Sequence, residues 1–312
     1  AAQVGWTFPA NLLQGTWAQS ETQTTPDALG VAGWKLDLTG SAWDDLPAEL
    51  KALAGIQCEN CHGPGSEHIE RGLAQPKGQK LIGVSLENGV CAKCHDDGHY
   101  HVRPHEWDKS GHGKVWSRSS TSCAPCHTGS GYVQSQIKGE ELTAGSFELG
   151  VTQTCGTCHE PHSVANEHQV RFAGTVTLNA LVPDPGGNHS TEATSFTSGD
   201  LGTAAQCAQC HHLRPTRDVP GTSIHHSHQA EMVLGIGGSH YPGEIYPSGG
   251  HKHIDDVCAT CHMAIPSRSD ARSQVLGSHT WRMHDDSGTA DDGSDDLYNT
   301  IGCEGCHGPI QN

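Results

Sequence analysis

Basic residues are scarce in this chain: Lys and Arg total 18 against 35 Asp and Glu, a formal net charge of −17. Nucleic-acid binding rests on neutralising phosphates with Lys and Arg, so a phosphate-binding surface is not the expected role. Long hydrophobic runs are missing as well. Stretches such as Met232 to Ile236 fall far short of the ~18 apolar residues that span a bilayer. Methionine is nearly absent, with Met232, Met263 and Met283 the only three. The hydrophobic fraction over 312 residues is 34%, and 14 of those residues are cysteines, which leaves thin material for an ordinary apolar core. The composition is still not that of a disordered polymer, because seven Trp, five Tyr and four Phe are spread along the chain with no long low-complexity tract. Something other than aliphatic side chains is expected to fill the interior. The start, Ala1-Ala2-Gln3-Val4, has neither a basic patch nor an apolar h-region, so the numbering is expected to begin after removal of any secretory signal.

What the chain has in quantity is cysteine in one pattern. All 14 cysteines fall into seven copies of Cys-x-x-Cys-His: Cys58/Cys61/His62, Cys91/Cys94/His95, Cys123/Cys126/His127, Cys155/Cys158/His159, Cys207/Cys210/His211, Cys258/Cys261/His262 and Cys303/Cys306/His307. Structural zinc sites use two such pairs each, and seven pairs cannot be matched two by two. A thioredoxin-like redox motif occurs once, at a helix start in an α/β setting. Disulfides leave the trailing histidine unexplained, and with 24 His in 312 residues seven chance placements have a probability of roughly 10⁻⁸. Covalent c-type haem accounts for all three positions: two thiols reach the two vinyl groups of one porphyrin edge, and the adjacent imidazole turns in to ligate the iron. Seven c-type haems also answer the composition problem, each macrocycle being a large apolar disc that serves as core.

The ligand inventory favours bis-histidine coordination. Besides the seven proximal histidines there are 17 others, enough for every iron, whereas Met serves three at most, so low-potential, six-coordinate, low-spin haems are expected. The distal candidates are His68, placed by the Gly-Pro-Gly turn after His62; His112 in Trp107-Asp-Lys-Ser-Gly-His; His162 in Cys-His-Glu-Pro-His; His212, directly after His211; His226, with His225 as rival; His253, with His251 as rival; and His279 in Gly-Ser-His-Thr-Trp-Arg-Met. His101 and His105 compete with these seven. His168, His189, His228, His240 and His284 are expected at the surface or in hydrogen bonds.

At these residues the sequence resembles the multihaem c-type cytochromes of metal- and sulfur-respiring bacteria. The phrases that carry the resemblance are Cys-Glu-Asn-Cys-His-Gly-Pro-Gly-Ser-Glu-His (58–68), Trp-Asp-Lys-Ser-Gly-His (107–112), Cys-Gly-Thr-Cys-His-Glu-Pro-His (155–162), His-His-Ser-His-Gln-Ala-Glu-Met (225–232) and Gly-Ser-His-Thr-Trp-Arg-Met (277–283). Some members of that group polymerise into extracellular cytochrome filaments, and a secreted, acidic, heptahaem chain is similar to them. Enzymes of the wider group often replace a proximal His at the active haem, for instance by Lys. Here all seven motifs keep His, which counts against catalysis.

Residues 1–57 contain no Cys and no His but hold Trp6, Trp17, Trp34 and Trp43, so they are expected to form a haem-free N-terminal cap or an adhesion surface for a neighbouring subunit. Within it, Trp34 to Leu38 alternates as a short strand, and Leu46, Leu50 and Leu53 mark a helix face after Asp44 or Asp45. Residues 58–312 are expected to be one haem-binding unit with a soft boundary near 160–205, where the motif spacing widens. Gln169 to Val182 reads as strand, and Gly- and Pro-rich turns fall at 183–187 and 235–250. The fold class expected is that of a multihaem cytochrome c: irregular coil, short helices and a few short strands wrapped around the haems. Asp285, Asp286, Asp291, Asp292, Asp295 and Asp296 form an acidic loop, a solvated stretch or a calcium site without EF-hand spacing.

The function these features imply is electron transfer along closely packed haems toward other cytochromes or an external acceptor, with self-association into a filament as the extension that the resemblance suggests. No carboxylate pair or nucleophile and base stands out, so an enzyme is not the first expectation. The rivals are a reductase of a small nitrogen or sulfur oxyanion, with one open haem and His99 or His284 as proton donor, and a monomeric periplasmic shuttle. Thioether attachment is completed on reduced thiols outside the cytoplasm, so the chain is expected in the periplasm or outside the cell.

Overall fold

The computed structural model describes residues 56–72, 81–96, 102–114, 120–148, 151–172, 174–183, 189–214, 227–237, 244, 249–267, 271–286, 288 and 293–310, with two short strands nearer the N-terminus. The chain divides into two units, Ala1–Ser85 with Asp97–His101, and Leu86–Asp96 with Val102–Asn312.

In the first unit, β1 (Trp17–Gln19) pairs antiparallel with β2 (Trp34–Leu36), Trp17 opposite Leu36, so the alternation at Trp34 does give a strand. The helix expected around Leu46, Leu50 and Leu53 lies outside the described residues. Helix α1 (Cys58–His62) is capped reciprocally by Gln57 and Asn60, the Gln57 amide donating to Asn60 Oδ1 at 2.6 Å. Gly63, at φ 76°, then turns the chain into α2 (Ser66–Arg71).

The second unit runs through α3 (Asn88–His95), α4 (Arg103–Lys109), α5 (Ala124–His127), α6 (Gly129–Tyr132) with a π-helical turn at Val133–Ile137, and α7 (Cys155–Cys158). A hairpin of β3 (Thr175–Pro183) and β4 (His189–Thr197) follows. The remaining elements are α8 (Ser198–Leu201), α9 (Ala204–Ala208), α10 (Gln229–Val233), α11 (Val257–His262), a ladder of β5 (His284–Asp285) and β6 (Leu297–Tyr298), and α12 (Ile301–His307). Each of the seven Cys-x-x-Cys-His motifs lies on, or directly abuts, one of these short helices. Isolated helices below ~12 residues are marginal in water, so these depend on caps and on tertiary packing.

The strand expected over 169–182 begins later than its hydrophobic pattern does. Arg171 turns toward the fourth motif, its guanidinium donating to Gly156 O at 2.8 Å and His159 O at 3.0 Å. Val170 accordingly bridges to His159, and pairing with β4 starts only at Thr175. From there the alternation holds: Val176 and Leu178 are buried, whereas Thr177 is exposed.

That inner face packs on Leu201, Ala204, Ala205, Ala208, Ala230 and Val257 from α8 to α11, the hydrophobic cluster of the described residues. Four alanines among its members let helices and hairpin approach closely but bury little area. Glu231 lies at its edge, fully buried, accepting from the Leu213 amide at 2.8 Å and the Asn179 amide at 3.3 Å. Removing the carboxylate orphans both amides. Glu231→Ala is expected to lose about 2 kcal/mol or more of stability, read as a lower thermal midpoint, whereas Glu231→Gln keeps an acceptor and loses less. Equal losses in the two variants would contradict this.

Candidate metal centres

The motif helices present two cysteines and a histidine on one short turn, and backbone carbonyls orient several of those histidines. His159 Nδ1 donates to His168 O at 2.9 Å and His262 Nδ1 to Trp281 O at 3.0 Å; His62 Nδ1 bonds Gly83 O. An Nδ1 bond of this kind fixes the tautomer and leaves Nε2 for a metal.

The fourteen cysteines do not share one setting. Cys123 is buried, and Cys91, Cys126, Cys155, Cys158, Cys207, Cys210, Cys258, Cys261 and Cys303 are partly covered. Cys58, Cys61, Cys94 and Cys306 are exposed. At these four positions the thiols stand at the protein surface. The physical reason is the thinness of the packing around their helices, since α1, α3 and α12 bury none of their residues. His95 and His307, at the ends of two of those helices, are exposed with them. In the first, second and seventh motifs the polypeptide by itself thus covers little of the attachment turn.

Three proximal histidines have a second imidazole opposite them. The ring centroids of His211 and His112 are 6.0 Å apart, those of His159 and His279 are 6.2 Å apart, and those of His307 and His251 are 6.1 Å apart. Two imidazoles ligating one metal from opposite sides at ~2.0 Å, each centroid a further ~1.1 Å behind its nitrogen, stand ~6.2 Å apart. The three centroid separations match that spacing. Burial pushes His112 down to about 4, helped by the neighbouring His211, and burial with the Arg103 charge pushes His279 down to about 4. Desolvation also lowers His159 and, although its side chain reaches the surface, His211, which favours the neutral imidazole that binds a metal.

The pair at His279 has a buried support. Glu106, 5% exposed, receives Arg103 at 2.8 Å and the Ser278 hydroxyl at 2.7 Å, and accepts from the His279 amide at 3.4 Å. Sequence patterning singled out neither Glu106 nor Trp281, whose ring lies 4.7 Å from His112 and 5.3 Å from His279. Their roles depend on contacts across the chain, Glu106 with Ser278 and Trp281 with His112, which a local pattern does not register.

The other distal candidates stand as follows. His68 is half-buried on α2, and His212 is half-buried with Nδ1 donating to Ala208 O at 2.8 Å. His162 is exposed, its Nδ1 3.0 Å from Glu160 Oε1, and His253 and His105 are exposed. Of the pair His253 and His251, it is His251 that faces a proximal ring. His101, His225 and His226 lie outside the described residues, as do His99 and His240. His168 and His284 carry hydrogen-bonding or ionic contacts, His168 to Glu167 at 3.5 Å and His284 to Asp296 at 3.0 Å.

Motifs also touch one another through their thiols. Cys91 lies beside Cys155, Cys126 beside Cys210 and Cys207 beside Cys258, close enough for each thiol to shift its neighbour's ionisation, while the Cys126 and Cys210 thiols donate to Gln209 O and Pro125 O, each at 3.9 Å. The neighbouring thiol holds Cys91 and Cys126 down to about 7 and raises Cys155 and Cys210. The sixth and seventh motifs meet where Gly302 packs on the Thr260 carbonyl, so closely that a Cβ would stand 2.6 Å from it.

Large apolar side chains are exposed beside the motifs: Ile56 at 82%, Ile69 at 78% and Val164 at 87%, with Ile265 and Ile310 after the last two motifs. Ile56 and Ile310 flank motifs whose cysteines are exposed. In the acidic loop, Asp285 pairs with Arg282, and Asp296 takes Tyr298 and His284, each at 3.0 Å. Among the described residues no three His, Cys, Asp or Glu side chains group to hold a metal ion, and Asp291 and Asp292 lie outside those residues. Among them, too, no helix is long and apolar enough to cross a membrane.

Comparison with known proteins gives partial matches. The multihaem cytochrome MtrA of Shewanella baltica is 27% identical over 128 residues, 40% of this chain and 33% of that protein. The C-type polyhaem cytochrome OmcB of Geobacter sulfurreducens is 33% identical over 125 residues, 34% of this chain and 15% of that protein. The chain thus spans a third or less of the length of these relatives. No family model and no solved structure matches it. These similarities support a multihaem c-type cytochrome of the kind found in metal-reducing bacteria.

Proposed function

We propose that this chain carries electrons along a closely packed row of seven bis-histidine c-type haems, outside the cytoplasm, and passes them to other cytochromes or an extracellular acceptor. The observation that carries the reading is the set of three imidazole pairs at 6.0–6.2 Å, each joining a motif histidine to one from elsewhere in the chain. The fourteen cysteines would hold the seven porphyrins by thioethers, and the seven motif histidines would be the proximal ligands. At Cys58, Cys61, Cys94 and Cys306 the attached edge would lie toward solvent, since those sulfurs are exposed. When bound, such haems supply one-electron sites whose potentials are set by their axial ligands. The protein's part is to keep both axial positions filled, so that no substrate reaches the iron, and to hold neighbouring motifs in contact.

Those contacts support an order. Each cysteine sulfur would be bonded to the rim of its own porphyrin, so neighbouring thiols bring two rims together. The second motif meets the fourth, the third meets the fifth, the fifth meets the sixth, and the sixth meets the seventh. The row therefore departs from chain order. Relatives named as multihaem and polyhaem cytochromes favour a carrier over an enzyme. Copies are further proposed to associate end to end as a filament, with haems of neighbouring subunits meeting at the junction.

The test is the mass and the electron paramagnetic resonance spectrum of protein matured in a host that attaches c-type haem. Seven thioether-bound haems, all low-spin and unresponsive to cyanide or nitrite, are expected. Bare polypeptide mass would overturn the reading. A high-spin signal that shifts with nitrite would instead support a reductase, and light scattering that finds only monomers would remove the filament.

A further inference from the structure

The axial positions of three motifs converge on one residue that no motif contains. Trp281 presents its ring edge-on to His112, with centroids 4.7 Å apart at 87°, and to His279, 5.3 Å away at 65°. Its backbone carbonyl, pointing to a third partner, accepts from His262 Nδ1 at 3.0 Å. His112 faces His211, His279 faces His159, and His262 is itself a motif histidine. One residue thus touches a ligand of the fourth, the fifth and the sixth motifs.

Its backbone is in the left-handed region, φ 51° and ψ 10°, at the end of a 3₁₀ turn over Ser278–Thr280. An aromatic side chain rarely adopts that conformation, and it persists where the surroundings over-determine it. Here Thr280 Oγ1 donates to Gly277 O at 2.6 Å and accepts from the Arg282 amide at 3.2 Å, closing the loop on both sides of Trp281. The left-handed turn is what aims the ring at two imidazoles while its carbonyl faces a third.

We infer that Trp281 is a positioning residue for a three-haem junction: its ring sets the planes of His112 and His279 and its carbonyl sets that of His262. The inference rests on the electron-transfer reading above. A filled axial position tolerates rotation of the imidazole plane, but the low-spin g values and the potential both change with it, so Trp281 acts on the spectrum without touching iron. The ring contacts and the carbonyl contact are separable, because a side-chain substitution removes only the first.

The experiment compares the haem-loaded wild type with Trp281→Phe, Trp281→Leu and Trp281→Ala, and uses Tyr298→Ala, which removes the ring stacked on His284, as a control. Haem content is measured first, then low-temperature electron paramagnetic resonance and a spectroelectrochemical titration. Two of the seven low-spin signals are expected to change g values in Trp281→Ala and Trp281→Leu, with Trp281→Phe restoring them and the control unchanged. Unchanged g values and potentials in the Ala and Leu variants at full haem content overturn the inference. So does an identical change at all seven haems, which is the mark of general loosening. A wild type without low-spin haem fails the electron-transfer reading itself, a result distinct from either.

Discussion

Replacing His112 with Met is expected to raise the potential of a single haem by on the order of 100 mV, within the ~0.8 V that axial ligands span. The haem concerned is the one on Cys207 and Cys210, because His112 faces His211 at 6.0 Å. Methionine sulfur is the weaker donor to ferric iron, so the reduced state gains relative to the oxidised one. Burial holds the His112 ring largely away from water, so a thioether in its place would meet little competition from solvent. His112→Ala leaves that position empty, and the same haem is expected to turn high-spin and bind cyanide. His105→Ala, at an exposed position on α4, serves as control. Full haem content with an unaltered titration curve in the Met variant would refute the pairing.

Gly277→Ala is expected to cost about 3 kcal/mol or more, the sum of ~1–3 for a backbone open essentially to glycine and ~1–3 for overpacking. Gly277 has φ 68° and ψ −165°, and a Cβ there would drive into the Ala264 carbonyl and stand 2.8 Å from Asn299 Nδ2. Asn299 Nδ2 donates to that same carbonyl at 2.8 Å, so neither neighbour is free to retreat. The loss reads as a thermal midpoint lower by about 6 °C, at ~2 °C per kcal/mol for a chain of this size. Because Gly277 leads into His279 and Trp281, a high-spin component should accompany the drop. Gly288→Ala, also at positive φ but with open space around it, isolates the backbone part and should cost about 1–2 kcal/mol. A Gly277 variant as stable as the Gly288 variant would refute the packing argument.

The contrast between these sites marks what sequence conveys. Cys-x-x-Cys-His is a local instruction, since two thiols and an imidazole on one turn need nothing beyond that turn, and short helices do carry or abut all seven copies. How far each turn is covered is not local, and so the pattern reads alike at buried Cys123 and at exposed Cys61, Cys94 and Cys306. The strand through Val176 and Leu178 was legible because alternation records burial on one face. Its true start was not, because Arg171 is drawn to the carbonyls of Gly156 and His159, which the strand pattern cannot register. The imidazole pairs are non-local: His279 joins His159 and His112 joins His211 across most of the second unit. Phrases around His112 and His279 pointed to them as ligands without saying whose. Between His251 and His253 the sequence offers nothing to choose, since both precede the sixth motif, yet the structure brings His251 to the seventh. Glu106 and Trp281 were not singled out because their contacts with Ser278 and His112 span distant parts of the chain.

The thiol contacts between motifs set an order of events in the making of this protein. In each of the pairs Cys91 with Cys155, Cys126 with Cys210 and Cys207 with Cys258, the two thiols sit close enough to shift each other's ionisation. In an oxidising compartment that is the starting point for a cross-link, and a cross-linked pair has no sulfur left to offer a vinyl group. A chain that collapsed first would seal its own attachment points, each bridge disabling two motifs at once. For a chain that is to carry seven porphyrins, loading ahead of collapse, while its cysteines are far apart, is the order that leaves every sulfur free for its own vinyl group.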